Sequence, residues 1–244
     1  MKKRHLVYAI ALIVGMGACA ASAKKQAEAK PDVWKSYNVG TVLFEDKASE
    51  TKGSDIYHRI IPDAESYIKE QARTVLATLY NSPEDSITPV NKIHYTLEDI
   101  EGISAKGGGN GDVTIFYSTR HIEKSFAKND TAKLFFETRG VLLHELTHAY
   151  QLEPQGIGSY GTNRVFWAFI EGMADAVRVA NGGFDGPNAR PKGGNYMDGY
   201  RTAGYFFVWL RDNKDPEFLR KFNRSTLEVI PWSFDGGIKH GLGH

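Results

Sequence analysis

The chain has 244 residues, 41% of them apolar and 12% aromatic, with one cysteine and a formal net charge of +1. This length suits one domain or at most two, and a single cysteine excludes an internal disulfide framework. Because basic and acidic residues nearly balance, nothing in the charge favours nucleic acid or an anionic membrane surface as a partner.

The N-terminus has the three features of a secretory signal peptide. Basic residues 2–4 precede an apolar run over residues 6–18, which is short for a membrane span. Ala21-Ser22-Ala23 then offers an A-x-A cleavage site. We therefore predict that residues 1–23 are a signal peptide and that the protein is exported to the periplasm, the cell surface or the medium. Removing residues 1–23, with three basic and no acidic side chains, changes the net charge from +1 to −2.

Cys19 allows a second way of processing the N-terminus. Met16-Gly17-Ala18-Cys19 resembles a weak bacterial lipobox. If it is used, Cys19 becomes a lipidated N-terminus and the protein contacts a membrane through that anchor. If cleavage follows Ala23 instead, the mature protein has no cysteine.

The rest of the chain is predicted to be a flexible leader, residues 24–37, and one domain, residues 38–244. The β-type patterns cover residues 39–44, 55–61, 92–97 and 112–118, and the helical patterns cover residues 62–80, 131–152, 164–180, 197–211 and 216–223. The glycine-rich residues 106–111 predict a hairpin loop and not a phosphate loop, because no Gly-Lys-Ser/Thr follows them. Strands first and helices later predict an α+β fold.

The helical segment 131–152 contains the motif H-E-x-x-H. His144 and His148 are four residues apart, so both imidazoles share a helix face and can bind one ion. Glu145 lies one step round the helix, where it can reach a metal-bound water as a general base. The alternative is that these residues are only the polar stripe of an ordinary helix, and a third ligand would decide between the two.

Spacing narrows the choice of a third ligand. The extended motif H-E-x-x-H-x-x-G-x-x-H needs glycine at 151 and histidine at 154, but the chain has Gln151 and Pro154. Glu153 is too close in sequence to reach back unless the helix breaks. Glu171 lies on the next predicted helix, after a loop long enough to bring that helix alongside. We therefore predict Glu171 as the third ligand.

Asp175 follows Glu171 by one helical turn and could accept the free N–H of a ligand histidine. The alternative for both acids is a solvated helix face, but residues 166–177 are apolar almost all round. Two histidines, one glutamate and an open fourth position define a catalytic Zn²⁺ site. Zinc would lower the pKa of its water, and with Glu145 accepting the proton this chemistry hydrolyses peptide bonds.

Three blocks carry a resemblance to a known family. GVLLHELTHAYQ (140–151), FIEGMADAVRVANG (169–182) and DGYRTAGYFFVWLRD (198–212) keep the order and approximate spacing of the plant and bacterial basic secretory protein family. These are gluzincin-like zinc metallopeptidases, and the resemblance covers most of residues 38–240. It implies a zincin architecture: a small mixed sheet with an edge strand over a helical half that carries the H-E-x-x-H helix.

The resemblance implies the same roles for the site residues: zinc ligands His144, His148 and Glu171, the base Glu145, and Asp175 beside a ligand. The mature chain is slightly acidic, so the family's label "basic" does not carry over.

Tyr200 matches a family tyrosine that could donate a hydrogen bond to the developing oxyanion; the alternative is an aromatic core residue. Residues 114–118 would form the edge strand that pairs with an extended peptide. The predicted substrate-binding residues are Asn110, Thr114 and Phe116.

The predicted substrate is thus a peptide, a protein or a glycoprotein. Two other functions stay open. One is a cell-surface protein that binds a peptide or glycoprotein in the same cleft without turnover, although such a protein has no need of Glu145. The other is a zinc hydrolase that acts on a non-peptide amide, which only the shape of the cleft would distinguish.

Overall fold

The computed structural model describes residues 32–186 and 188–244. The predicted signal peptide, Cys19 and the leader before Asp32 lie outside these residues. Asp32–His244 form one compact unit. Residues 32–37, assigned above to the leader, form a turn in which Trp34 is buried, with its ring 5.4 Å from that of Tyr37. This segment therefore packs on the domain.

Helices dominate the described part of the chain. They are α1 (Lys52–Ile60), α2 (Ala64–Leu79), α3 (Thr119–Ser125), α4 (Thr131–Tyr150), α5 (Arg164–Ala180), α6 (Tyr200–Asn213), α7 (Phe218–Glu228) and α8 (Phe234–Leu242). Together with one small mixed sheet they form the predicted α+β fold. None of the helices described has the length and apolar character that crossing a membrane requires.

The sheet consists of β1 (Thr41–Asp46), β2 (Lys92–Glu98), β3 (Ser104–Gly109) and β4 (Asp112–Ser118), in the order β1-β2-β4-β3. β1, β2 and β4 are parallel, and β3 is antiparallel to β4. The prediction that residues 114–118 form the edge strand is therefore wrong. They lie inside the sheet, and β3 is the edge.

The β3–β4 hairpin explains this difference. Asn110 and Gly111 have φ of 53° and 84°, as a two-residue turn of the mirror-image type requires. The hairpin predicted at residues 106–111 is confirmed, but its loop is confined to these two residues. Gly107–Gly109 belong to β3. Because glycine has a low β-strand propensity, the sequence did not predict this strand.

The predicted strand at residues 55–61 is also wrong, because this segment lies mainly in α1. Thr51 caps the helix by accepting a hydrogen bond from the backbone N–H of Ser54. Gly53 and Tyr57 are one turn apart and both are buried, so the segment has a helical face. A side chain at Gly53 would collide with the backbone of Thr119.

The helical half agrees closely with the sequence patterns. α4 carries the H-E-x-x-H motif, and α5 has the predicted bounds. α6 begins at Tyr200 and not at Met197, because Tyr196–Asp198 form a 3₁₀ turn that is capped by Asn195. α3 and α8 were not predicted.

Glycines let α6 lie against α5. A Cβ at Gly172 would lie 2.6 Å from Cβ of Ala203 and 2.7 Å from the ring of Phe207, and a Cβ at Gly204 would lie 2.8 Å from the backbone N of Ala176. These approaches are too short for ordinary contacts. The close packing fixes α5, and with it the acidic residues of α5, relative to the rest of the core.

Candidate metal centre

Helices α4 and α5 bring the three predicted ligands together. Nε2 of His144 and Nε2 of His148 lie 3.1 Å apart. Oε2 of Glu171 lies 3.3 Å from the first and 3.6 Å from the second. One ligand atom from each residue falls within a cluster 4.8 Å across, which could hold a metal ion. Sequence spacing alone had selected the same three residues.

The carboxylate of Glu171 is only partly satisfied by the protein. Its side chain is 5% exposed, Oε1 accepts a hydrogen bond of 2.5 Å from the hydroxyl of Tyr160, and Oε2 is buried without a hydrogen-bond partner. A buried carboxylate oxygen without a donor is costly. Two imidazole nitrogens and one carboxylate oxygen are ligands that zinc prefers. The residues present therefore fit a bound cation.

The charges around the cluster favour a positive group at its centre. Burial raises the pKa of Glu171, but its contacts with His144 and His148 lower it more, so its pKa lies well below the usual range. Burial lowers the pKa of His144, but the nearby carboxylates of Asp175 and Glu171 raise that pKa to about 10. The carboxylates thus favour positive charge at this position, and a bound metal ion would supply it.

Each ligand also contacts a polar neighbour. Oδ1 of Asp175 lies 2.8 Å from Nδ1 of His144, where it was predicted. The amide nitrogen of Gln151 lies 2.8 Å from Nδ1 of His148. Gln151 and Tyr160, the neighbour of Glu171, were not predicted as site residues. Gln151 could have been found from its spacing of three residues from His148, whereas Tyr160 lies in a loop without periodicity.

A cavity of about 350 Å³ opens onto the cluster. Its walls include the ligands, Glu145 from α4, Ser104–Lys106 from β3, Glu153 from the following loop, and Tyr200 from α6. Glu145 is 6% exposed. Glu145, the His144–His148–Glu171 cluster and the edge strand β3 therefore line one cavity.

Tyr200 lies at the rim of this cavity and not in the core. Its ring stacks on His144, with centroids 6.1 Å apart and planes 12° apart, and contacts Trp167 at 5.4 Å. Its φ of 41° is unusual for a residue other than glycine, and such backbone strain is common at functional sites. Burial and the nearby carboxylates raise the pKa of Tyr200, so the phenol keeps its proton at neutral pH.

The three predicted substrate-binding residues lie outside the cavity at the His-His-Glu cluster. Thr114 and Phe116 belong to the internal strand β4 and line a separate depression on the sheet. Asn110 is at the hairpin turn. None of the three is among the residues that line this cavity. The strand residues that do line it are Ser104–Lys106, because β3 and not β4 is the edge.

The α+β domain thus places a His-His-Glu cluster that could hold a metal ion beside the buried Glu145. Residues 39–244 match the family model described as "BSP: Peptidase of plants and bacteria". The chain belongs to this family, which confirms the resemblance found in the sequence. Comparisons with curated proteins and with solved structures gave no match.

Proposed function

We propose that the protein is an exported zinc peptidase that hydrolyses peptide bonds with Glu145 as the general base. One observation carries the proposal. The buried Oε2 of Glu171, which lacks a hydrogen-bond partner, faces the Nε2 atoms of His144 and His148 in a cavity that Glu145 also lines. Membership of a peptidase family supports the same reaction.

His144, His148 and Glu171 would hold the ion and leave a further position open to the cavity. Zinc bound there would polarise a substrate carbonyl and lower the pKa of water toward neutrality. Glu145 accepts a proton from the attacking water and donates it to the nitrogen of the leaving amine. The products are a carboxylate and an amine.

Tyr200 and β3 would position the substrate. The phenol of Tyr200 keeps its proton and is 47% exposed, so it could donate a hydrogen bond to the carbonyl oxygen that gains negative charge. Within the described sheet β3 has a strand partner on one side only. An extended segment of a peptide, protein or glycoprotein could add to its other side through backbone hydrogen bonds.

Metal analysis tests the ligand set. We expect about one zinc per chain in the purified protein and none in the double variant His144→Ala, His148→Ala. A wild type that takes up no zinc, even after incubation with the metal, would contradict the proposal. Glu145→Gln then separates catalysis from binding. It should retain zinc and lose peptidase activity, whereas a protein that only binds peptides in this cleft would bind them equally well with either residue.

Export is a separate part of the proposal, and it rests on residues 1–23. The mass of the mature N-terminus decides between cleavage after Ala23 and lipidation of Cys19. A protein that keeps Met1 and stays in the cytoplasm would contradict export without affecting the metal site.

A further inference from the structure

Gln151 lies directly against the second histidine of the cluster. It follows the last residue of α4, and its side chain is 3% exposed. Its amide nitrogen is 2.8 Å from Nδ1 of His148, and its amide oxygen is buried without a hydrogen-bond partner. An amide that is buried but only half satisfied requires an explanation.

Metal binding would reverse the donor and the acceptor at this contact. A neutral imidazole that presents the lone pair of Nε2 to an ion carries its hydrogen on Nδ1. Nδ1 of His148 would then be a donor facing the NH₂ group of Gln151, which is also a donor. A half-turn of the amide exchanges its oxygen and nitrogen in almost the same space. The oxygen that now lacks a partner would then accept from Nδ1–H.

We propose that Gln151 is a positioning residue, whose Oε1 accepts a hydrogen bond from Nδ1–H of His148 and so fixes the tautomer that binds the ion. This inference rests on the proposed zinc site. It gives His148 the counterpart of Asp175 at His144, because ligand histidines generally donate their second N–H to such a partner.

The backbone holds Gln151 in place for this role. Its N–H donates to the carbonyl of Thr147 at 2.8 Å, and its carbonyl accepts from the hydroxyl of Thr88 at 3.2 Å. Both bonds are independent of the side chain, so they survive substitution of the amide.

Two substitutions test whether Gln151 acts as a hydrogen-bond acceptor or only fills space in the core. Gln151→Met keeps the length of the side chain but cannot accept strongly, whereas an ionised Gln151→Glu can accept but cannot donate. We expect zinc to bind about 10- to 100-fold more weakly to Gln151→Met. Gln151→Glu should bind zinc within a few-fold of wild type, or more tightly. The measurement is zinc affinity by competition with a chelator, with circular dichroism and thermal unfolding of the metal-free proteins.

Gln71→Met is the matched control. Gln71 is also 3% exposed and its amide oxygen also lacks a partner, but it lies on α2 and does not line the cavity. This variant should bind zinc like the wild type. If Gln71→Met loses as much zinc affinity as Gln151→Met, the loss is explained by general destabilisation of the fold. That result would overturn the inference.

The remaining outcomes are equally decisive. Unchanged affinity in Gln151→Met, or an equal loss in folded Gln151→Met and Gln151→Glu, overturns the inference and leaves the zinc site standing. If Gln151→Met does not fold, the comparison of Gln151→Glu with wild type decides, because a carboxylate cannot replace a required donor. A wild type without zinc affinity contradicts the proposed function itself.

Discussion

Oδ1 of Asp175 lies 2.8 Å from Nδ1 of His144, although the two residues belong to different helices. The contact leaves Nε2 of His144 directed toward Glu171. Since the carboxylate accepts the Nδ1–H, it selects the tautomer in which Nε2 offers its lone pair. Helix α5 therefore supplies both a candidate ligand, Glu171, and the group that would orient another candidate ligand, His144.

Asp175→Asn should weaken zinc binding, because a neutral amide accepts the Nδ1–H of His144 less strongly than a carboxylate does. We expect zinc affinity to fall about 10- to 100-fold. The measurement is competition with a chelator for the folded variant. Asp212→Asn, an exposed site on the last turn of α6, is the control. Equal affinity in Asp175→Asn and wild type would contradict the orienting role.

The sequence predicted the parts of this site that depend on helical spacing. His144, Glu145 and His148 share one helix, and Glu171 and Asp175 are one turn apart on the next, so a period of 3.6 residues places each set. The predicted bounds of α5, residues 164–180, match the structure, in which Asn163 caps the start of the helix. For these residues, helical periodicity in the sequence is sufficient to predict their positions in the folded structure.

The sequence did not predict which strand is the edge. Strand order is a long-range property, and Ser104–Gly109 has almost none of the β-branched or aromatic residues that mark strands. The Asn110-Gly111 pair was the available cue for a two-residue turn, which would have placed a strand before it. Gln151 is three residues from His148, so helical spacing could have found it. Tyr160 could not be predicted, because its contact with Glu171 depends on how a loop packs against α5.

Tyr200→Phe should affect catalysis and not metal binding. If the phenol donates to the oxyanion, its loss lowers kcat by about 10²- to 10³-fold, with KM and zinc content little changed. Steady-state kinetics on a peptide substrate measure this split. Tyr196→Phe, which removes a hydroxyl from the turn just before α6, is the control. A Tyr200→Phe enzyme with wild-type kcat would assign Tyr200 to packing against Trp167 and His144.

Gly172→Ala should destabilise the fold at the α5–α6 contact. The new methyl would meet Ala203 and Phe207 at 2.6 and 2.7 Å, and overpacking of this kind costs about 1–3 kcal/mol. Chemical denaturation of the metal-free protein measures the loss. Gly193→Ala, where a Cβ meets nothing within 4 Å, should change little. Equal stability of the two variants would show that α6 can move away from α5 at no cost.

The last prediction concerns stability at low pH and a cluster of charged side chains outside the candidate metal site. Oε2 of Glu137 lies 2.7 Å from a guanidinium nitrogen of Arg178, and Oε1 lies 3.1 Å from Nε2 of His121. Burial raises the pKa of Glu137, but these two partners lower it more, and the net shift is downward. The ionised carboxylate is therefore bound more favourably in the folded chain than in the unfolded chain.

Because the folded-state pKa of Glu137 lies below its unfolded value near 4.5, its contribution to stability is complete above that value. The contribution is lost as pH falls through the folded-state pKa. We expect Glu137→Gln to be less stable than wild type at neutral pH, with the difference narrowing below about pH 4.5. Urea denaturation of the metal-free proteins across this range, with the exposed Glu84→Gln as control, measures the difference. A gap that stays constant down to strong acid would mean that the charge of Glu137 does not stabilise the fold.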